Sequence, residues 1–125
     1  MLKVAALSLA VLLLPTAEAA AKMKVSFTWG PTKACFDSKS PPFTISGVPA
    51  RTKTLSFKMV DLNVPTYPHW GGTVRYTGQK KIPYGAFRYK GPCPPKPHVY
   101  QFTVKALNAA GQTIATATAK RRFPE

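Results

Sequence analysis

The chain has 125 residues, with 18 Lys and Arg against four Asp and Glu, a formal net charge of +14, 13 prolines and two cysteines. That length fits one domain around one core. The scarcity of carboxylates argues against carboxylate-rich calcium or magnesium sites, and it leaves only Asp37 and Asp61 for a glycosidase acid pair.

The N-terminus reads as an export signal. Lys3 gives a positive start, Val4 to Leu14 is an apolar run of 11 residues, Pro15 breaks it, and Ala17-Glu18-Ala19 is a small-x-small cleavage pattern. The run is shorter than the roughly 20 residues that span a bilayer. Cleavage is expected after Ala19, or after Ala21 by the overlapping Ala19-Ala20-Ala21 pattern. Residues 1–19 are therefore a signal peptide and 20–125 one domain, periplasmic or secreted. Losing Lys3 and Glu18 leaves the net charge at +14. Such a charge attracts polyanions and anionic membrane surfaces, although a generally basic background explains it equally well. The basic residues are scattered, with one tight cluster at Lys120-Arg121-Arg122, and nucleic acid is not an expected partner outside the cell. Cys35 and Cys93, an even pair in an oxidising compartment, are expected to form a disulfide.

Lys24 to Trp29 alternates polar and apolar residues, the period of a half-buried strand, and Gly30-Pro31 ends it. Lys33 to Ala50 reads as turns, punctuated by Ser40-Pro41-Pro42 and Gly47-Val48-Pro49. Thr54 to Leu62 is a second strand with Leu55, Phe57 and Met59 on one face. His69 to Tyr76 is a third strand, and Gly78 to Lys81 a polar turn. Gly91 to Pro97 carries four prolines and is no helix. Val99 to Leu107 alternates most regularly, and Asn108 to Gly111 reads as a hairpin loop into a strand over Gln112 to Lys120. The sequence thus predicts a mainly all-β chain, a small antiparallel β-sandwich with long proline-rich loops.

No GxSxG, HExxH or phosphate-cradling glycine loop is present, so no enzymatic activity, cofactor or metal is expected. Asp61 closes an apolar strand, where a carboxylate needs a partner. His69 and His98, the only histidines, flank proline-rich loops at strand ends, where sheets commonly present ligand-contacting residues.

These residues resemble a known family. Ser40-Pro41-Pro42, Gly47-Val48-Pro49, Asp61-Leu62-Asn63-Val64-Pro65, His69-Trp70, Gly91-Pro92-Cys93-Pro94-Pro95, His98-Val99-Tyr100 and Ala106-Leu107 occur in the order found in phosphatidylethanolamine-binding proteins. The resemblance runs from about Cys35 to Pro124 and is nearest to the short bacterial branch called Raf-kinase-inhibitor-like. It implies a β-sandwich whose strand-end pocket takes phosphate-like anions or phospholipid headgroups. Residue by residue, it implies a pocket of Asp61, Pro65, His69, Pro94, Pro95, His98 and Tyr100. It also brings the proline-rich loops bearing Cys35 and Cys93 near one end of the sandwich. Asn63 and Val99 depart from the family pattern and remove charge near that pocket. Kinase inhibition, a eukaryotic activity, is not implied.

A histidine pair donates hydrogen bonds to an anion more strongly when protonated, and Asp61 is placed to hold one ring in a fixed tautomer. The leading expectation is therefore an exported anion- or headgroup-binding module. A secreted inhibitor or interaction protein using Gly91 to Pro97 as a rigid segment is the alternative, and a hydrolase with a histidine base is the third class.

Overall fold

A computed structural model describes residues 22–125, together with 2–3 and 10–12. The predicted export segment and both of its cleavage points lie outside the described residues, save for those five positions.

Among the described residues, seven strands follow in chain order: β1 Lys24–Phe27, β2 Phe43–Ser46, β3 Thr54–Asp61, β4 Gly71–Arg75, β5 Lys81–Ile82, β6 His98–Leu107 and β7 Thr113–Phe123. They form two antiparallel sheets, ordered β1-β2-β5 and β4-β3-β6-β7. The described residues contain no helix. β2 and β5 were not expected from sequence. They are two to four residues long and lie beside prolines, too short for a period of two to show.

Alternation places the core. In β3, Leu55, Phe57 and Met59 turn inward, and in β6 Tyr100, Phe102, Val104 and Ala106 do the same. They meet Phe27, Phe43 and Ile45 of the smaller sheet. Phe102 sits at 5.0 Å from the Phe27 ring and 4.9 Å from Phe43, both edge-on, the preferred aromatic geometry. The sheets are also tied by polar contacts, since Trp29 Nε1–H donates to the Arg122 carbonyl at 2.6 Å and the Arg121 guanidinium donates to the Phe27 carbonyl.

The β3–β6 register pairs Asp61 with Tyr100 and Thr54 with Leu107. The ladder therefore ends in polar groups on one side. At the opposite end, β6 turns into β7 through Asn108–Gly111, whose Asn108 side chain accepts from the Ala110 and Gln112 amides.

Candidate functional site

The inward face of the long strands continues past its last apolar layer into polar residues. Asp61 is two residues beyond Met59, and His98 two before Tyr100, so the period of two carries all three inward at the same end. His69 approaches from the loop before β4. Its backbone carbonyl accepts from the Lys90 amide at 2.9 Å, and its Nδ1–H donates to the Lys90 carbonyl at 2.6 Å.

A cavity of about 160 Å³ opens at this end, lined by Phe36, Asp61, Val64, Tyr67, His69, Cys93, Pro94, Pro95, His98 and Tyr100. That is well below the roughly 300 Å³ at which pockets begin to enclose drug-sized ligands, so it has room for only a small molecule. The structure brings together six of the seven residues anticipated from sequence. Pro65 is the exception. It is exposed outside the lining, because the turn after β3 directs Val64 to the cavity instead. Asn63 and Val99, expected near the pocket, do not line it either. Asn63 instead accepts from the Val99 amide at 2.9 Å and so pins the turn to the start of β6.

Phe36, Val64 and Tyr67 were missed in the sequence. Tyr67 was recoverable, since it lies two residues before His69 in the same loop and its ring is 5.0 Å from the imidazole. Phe36 depends on tertiary closure. The Cys35–Cys93 disulfide joins the two proline-rich loops, with Cα atoms 4.7 Å apart, and so sets Phe36 against the Pro94-Pro95 wall. Gly91 permits this closure, because a β-carbon there would lie 2.3 Å from the Asp37 carbonyl oxygen. Lys90 Nζ lies over the facing rings of Phe36 and Tyr67, at 4.8 and 4.7 Å.

The electrostatics of the cavity are set by one carboxylate and its hydrogen bonds. His98 Nδ1 lies 2.7 Å from Asp61 Oδ2, and Asp61 Oδ1 accepts from the Asn63 and Val64 amides at 2.8 and 3.2 Å. Burial alone would raise the Asp61 pKa, but the hydrogen bonds from His98 and the two amides outweigh it and hold the carboxyl below its ordinary range. Burial, reinforced by the nearby Asp61 charge, pushes the Tyr100 phenol well above its ordinary value, so it stays protonated and able to donate.

Both acceptors fix tautomers. A carbonyl and a carboxylate can only accept, so each ring carries its proton on Nδ1 and no described residue bonds either Nε2. A neutral ring offers a lone pair at Nε2, whereas a protonated one offers a donor. No three metal-ligating side chains cluster among the described residues.

Solved structures share this architecture. Escherichia coli YbcL, described as a new member of the mammalian PEBP family, superposes with a TM-score of 0.61 at 24% identity over 82% of this chain and 98% of its own. Chlamydia trachomatis CT736, described as a homolog of phosphatidylethanolamine-binding protein (PEBP), does so at 0.59 and 20% identity over 83% and 98%. The fold is the PEBP fold. No protein-family model matches the chain, and no curated protein does. Within the PEBP fold the cavity falls at the strand ends of the larger sheet, walled by loops from both halves of the chain.

Proposed function

We propose that the chain is an exported, non-catalytic binding module that takes a phosphate-like anion or phospholipid headgroup in the strand-end cavity. The observation that carries this reading is the pair of imidazoles locked through Nδ1, each keeping Nε2 for a ligand, in a cavity of about 160 Å³ beside a phenol that remains protonated. The Asp61 carboxylate would repel an anion, but both of its oxygens are engaged. Its role is to orient His98 and stabilise that ring when protonated. Protonation of both rings converts two acceptors into two charge-assisted donors, so anion binding is coupled to proton uptake.

Binding without turnover is supported by the chemistry of the lining. It contains no serine or threonine hydroxyl, and its one cysteine sulfur is held in the disulfide. The inhibitor alternative gains no support from the proline-rich loop. Gly91 and Pro92 are buried, and Pro94 and Pro95 wall the cavity, leaving an exposed stretch of only Pro95 to Pro97.

The test is a titration of inorganic phosphate and of phosphoethanolamine at moderate salt, followed by histidine and tyrosine NMR shifts. Saturable shifts in the wild type that vanish in His69→Ala/His98→Ala support the site. Equal binding by the double variant reduces the effect to diffuse charge and ends the proposal. A screen of esters and phosphoesters tests the non-catalytic half, and turnover abolished by His98→Ala would overturn it.

A further inference from the structure

Between residues 22 and 125, the exposed large hydrophobic side chains are Phe36, Leu62, Val64 and Trp70. All four belong to the cavity end. Phe36 and Val64 line the cavity, while Leu62 and Trp70 directly follow the lining residues Asp61 and His69. Trp70 is 62% exposed, whereas the chain's other tryptophan, Trp29, is 5% exposed in the core.

Two of these four, Phe36 and Trp70, hold φ angles of 55° and 56°. That left-handed conformation is unfavourable for bulky side chains and persists only where the surroundings impose it. At Trp70 the imposing contact is clear, because its carbonyl accepts from the Met59 amide at 3.0 Å and holds its backbone on β3. The Trp70 backbone is thus held on β3 while its indole stays exposed.

Cations stand among these groups. Lys90 lies over the Phe36 and Tyr67 rings, and exposed Lys96 follows the Pro95 wall. Each acid of the folded region has a partner: Asp37 is bonded by Tyr84, Asp61 inside the cavity by His98, and Glu125 by Arg121.

We infer that the rim of the cavity is a docking face for an anionic bilayer, with Trp70, Phe36, Leu62 and Val64 entering the interfacial layer and Lys90 and Lys96 meeting the headgroups. Amphipathic rings settle at the membrane–water boundary, and shallow apolar insertion with basic residues beside it is how peripheral proteins hold anionic lipid. The charge distribution selects an extended surface as the occupant, because the 17 Lys and Arg that remain once Lys3 is lost are spread over the chain and act together on a plane of like charges. This goes beyond the anion-binding reading and does not depend on it, since the rim is made of different side chains from the histidine pair.

The experiment uses protein purified after expression of the full chain, and vesicles of phosphatidylcholine alone or with phosphatidylglycerol. Binding is read by sedimentation and by tryptophan emission, in which Trp29 is a constant background. Phosphatidylglycerol vesicles are expected to bind the protein and shift Trp70 emission to the blue, with binding weakened by salt. Trp70→Ala should lower the partition at least about tenfold without changing the circular dichroism spectrum. Heparin, a polyanion with no hydrocarbon layer, should bind without shifting Trp70.

Undiminished binding by Trp70→Ala, equal binding to both vesicle types, or an equal blue shift with heparin would each overturn the docking face. His69→Ala/His98→Ala separates the two ideas. Loss of phosphate binding with docking retained is expected, whereas loss of docking in that variant with docking intact in Trp70→Ala would transfer membrane binding to the cavity and refute the rim.

Discussion

Asp61 and His98, 37 residues apart, meet at 2.7 Å because β3 and β6 end together. Asp61 is only 4% exposed, and its second oxygen is held by two backbone amides. The pair therefore acts as a fixed dipole at the cavity floor.

Asp61→Asn should invert the His98 tautomer. The new amide keeps an oxygen for the Asn63 and Val64 amides but presents N–H to His98 Nδ1, which must then accept. The proton moves to Nε2, visible in imidazole ¹⁵N shifts. An unchanged tautomer would mean that Asp61 does not set it.

The same carboxyl makes stability depend on acid. Its folded-state pKa lies below the ordinary 3.8, so its contribution is fully present above that value and is lost as pH falls through the lowered folded value. Asp61→Asn should cost about 2 kcal/mol near neutrality, typical of hydrogen bonds to a charged group. It should also flatten the acid limb of a urea-denaturation series below about pH 4.

Phosphate affinity should rise as pH is lowered, because a protonated imidazole donates from both ring nitrogens. Isothermal titration in buffers of different ionisation enthalpy should reveal proton uptake on binding. Affinity that is flat with pH would assign the anion to Lys90 or to general charge instead.

Reducing the Cys35–Cys93 bond should weaken both fold and ligand binding. In the chain-entropy model a loop of this length contributes roughly 4 kcal/mol. The bond also holds the Phe36 side of the cavity to the Pro94-Pro95 side. Thermal melts and phosphate titrations with and without reductant measure the two effects. Gly91→Ala should mimic part of the loss, because its β-carbon meets backbone rather than a flexible side chain.

Phe102→Ala should cost about 3–5 kcal/mol and leave the domain near its unfolding threshold at 37 °C. Phe102 is fully buried and packs on Phe27, Phe43 and Tyr89. Denaturant unfolding checks it, and a loss under about 1 kcal/mol would mean that the core repacks.

The long strands were legible because Thr54–Asp61 and His98–Leu107 each alternate over eight or more residues. Asp61 was legible as a carboxylate closing an apolar strand, and His98 as one of the two histidines flanking proline-rich loops at strand ends. Phe43–Ser46 and Lys81–Ile82 were hidden by their shortness and by neighbouring prolines. Tyr100 and the Pro94-Pro95 wall were reached only through family resemblance, since nothing in their spacing marks a pocket. Phe36 and Val64 were unreadable because loop closure aims them, and Pro65 lies outside the lining because a motif residue can shape a turn without facing the cavity.

The Asn108–Gly111 turn has a practical consequence. β6 runs ten residues from His98 to Leu107, which separates this turn from the cavity by roughly 30 Å at the usual strand rise. A β-carbon on Gly111 would meet nothing within 4 Å, although its φ of 76° favours keeping the glycine itself. Attachment chemistry at neighbouring Ala110, which is also exposed, would fix the molecule to a solid support with its open end facing the solution. The protein thus has a built-in handle for an oriented biosensor layer.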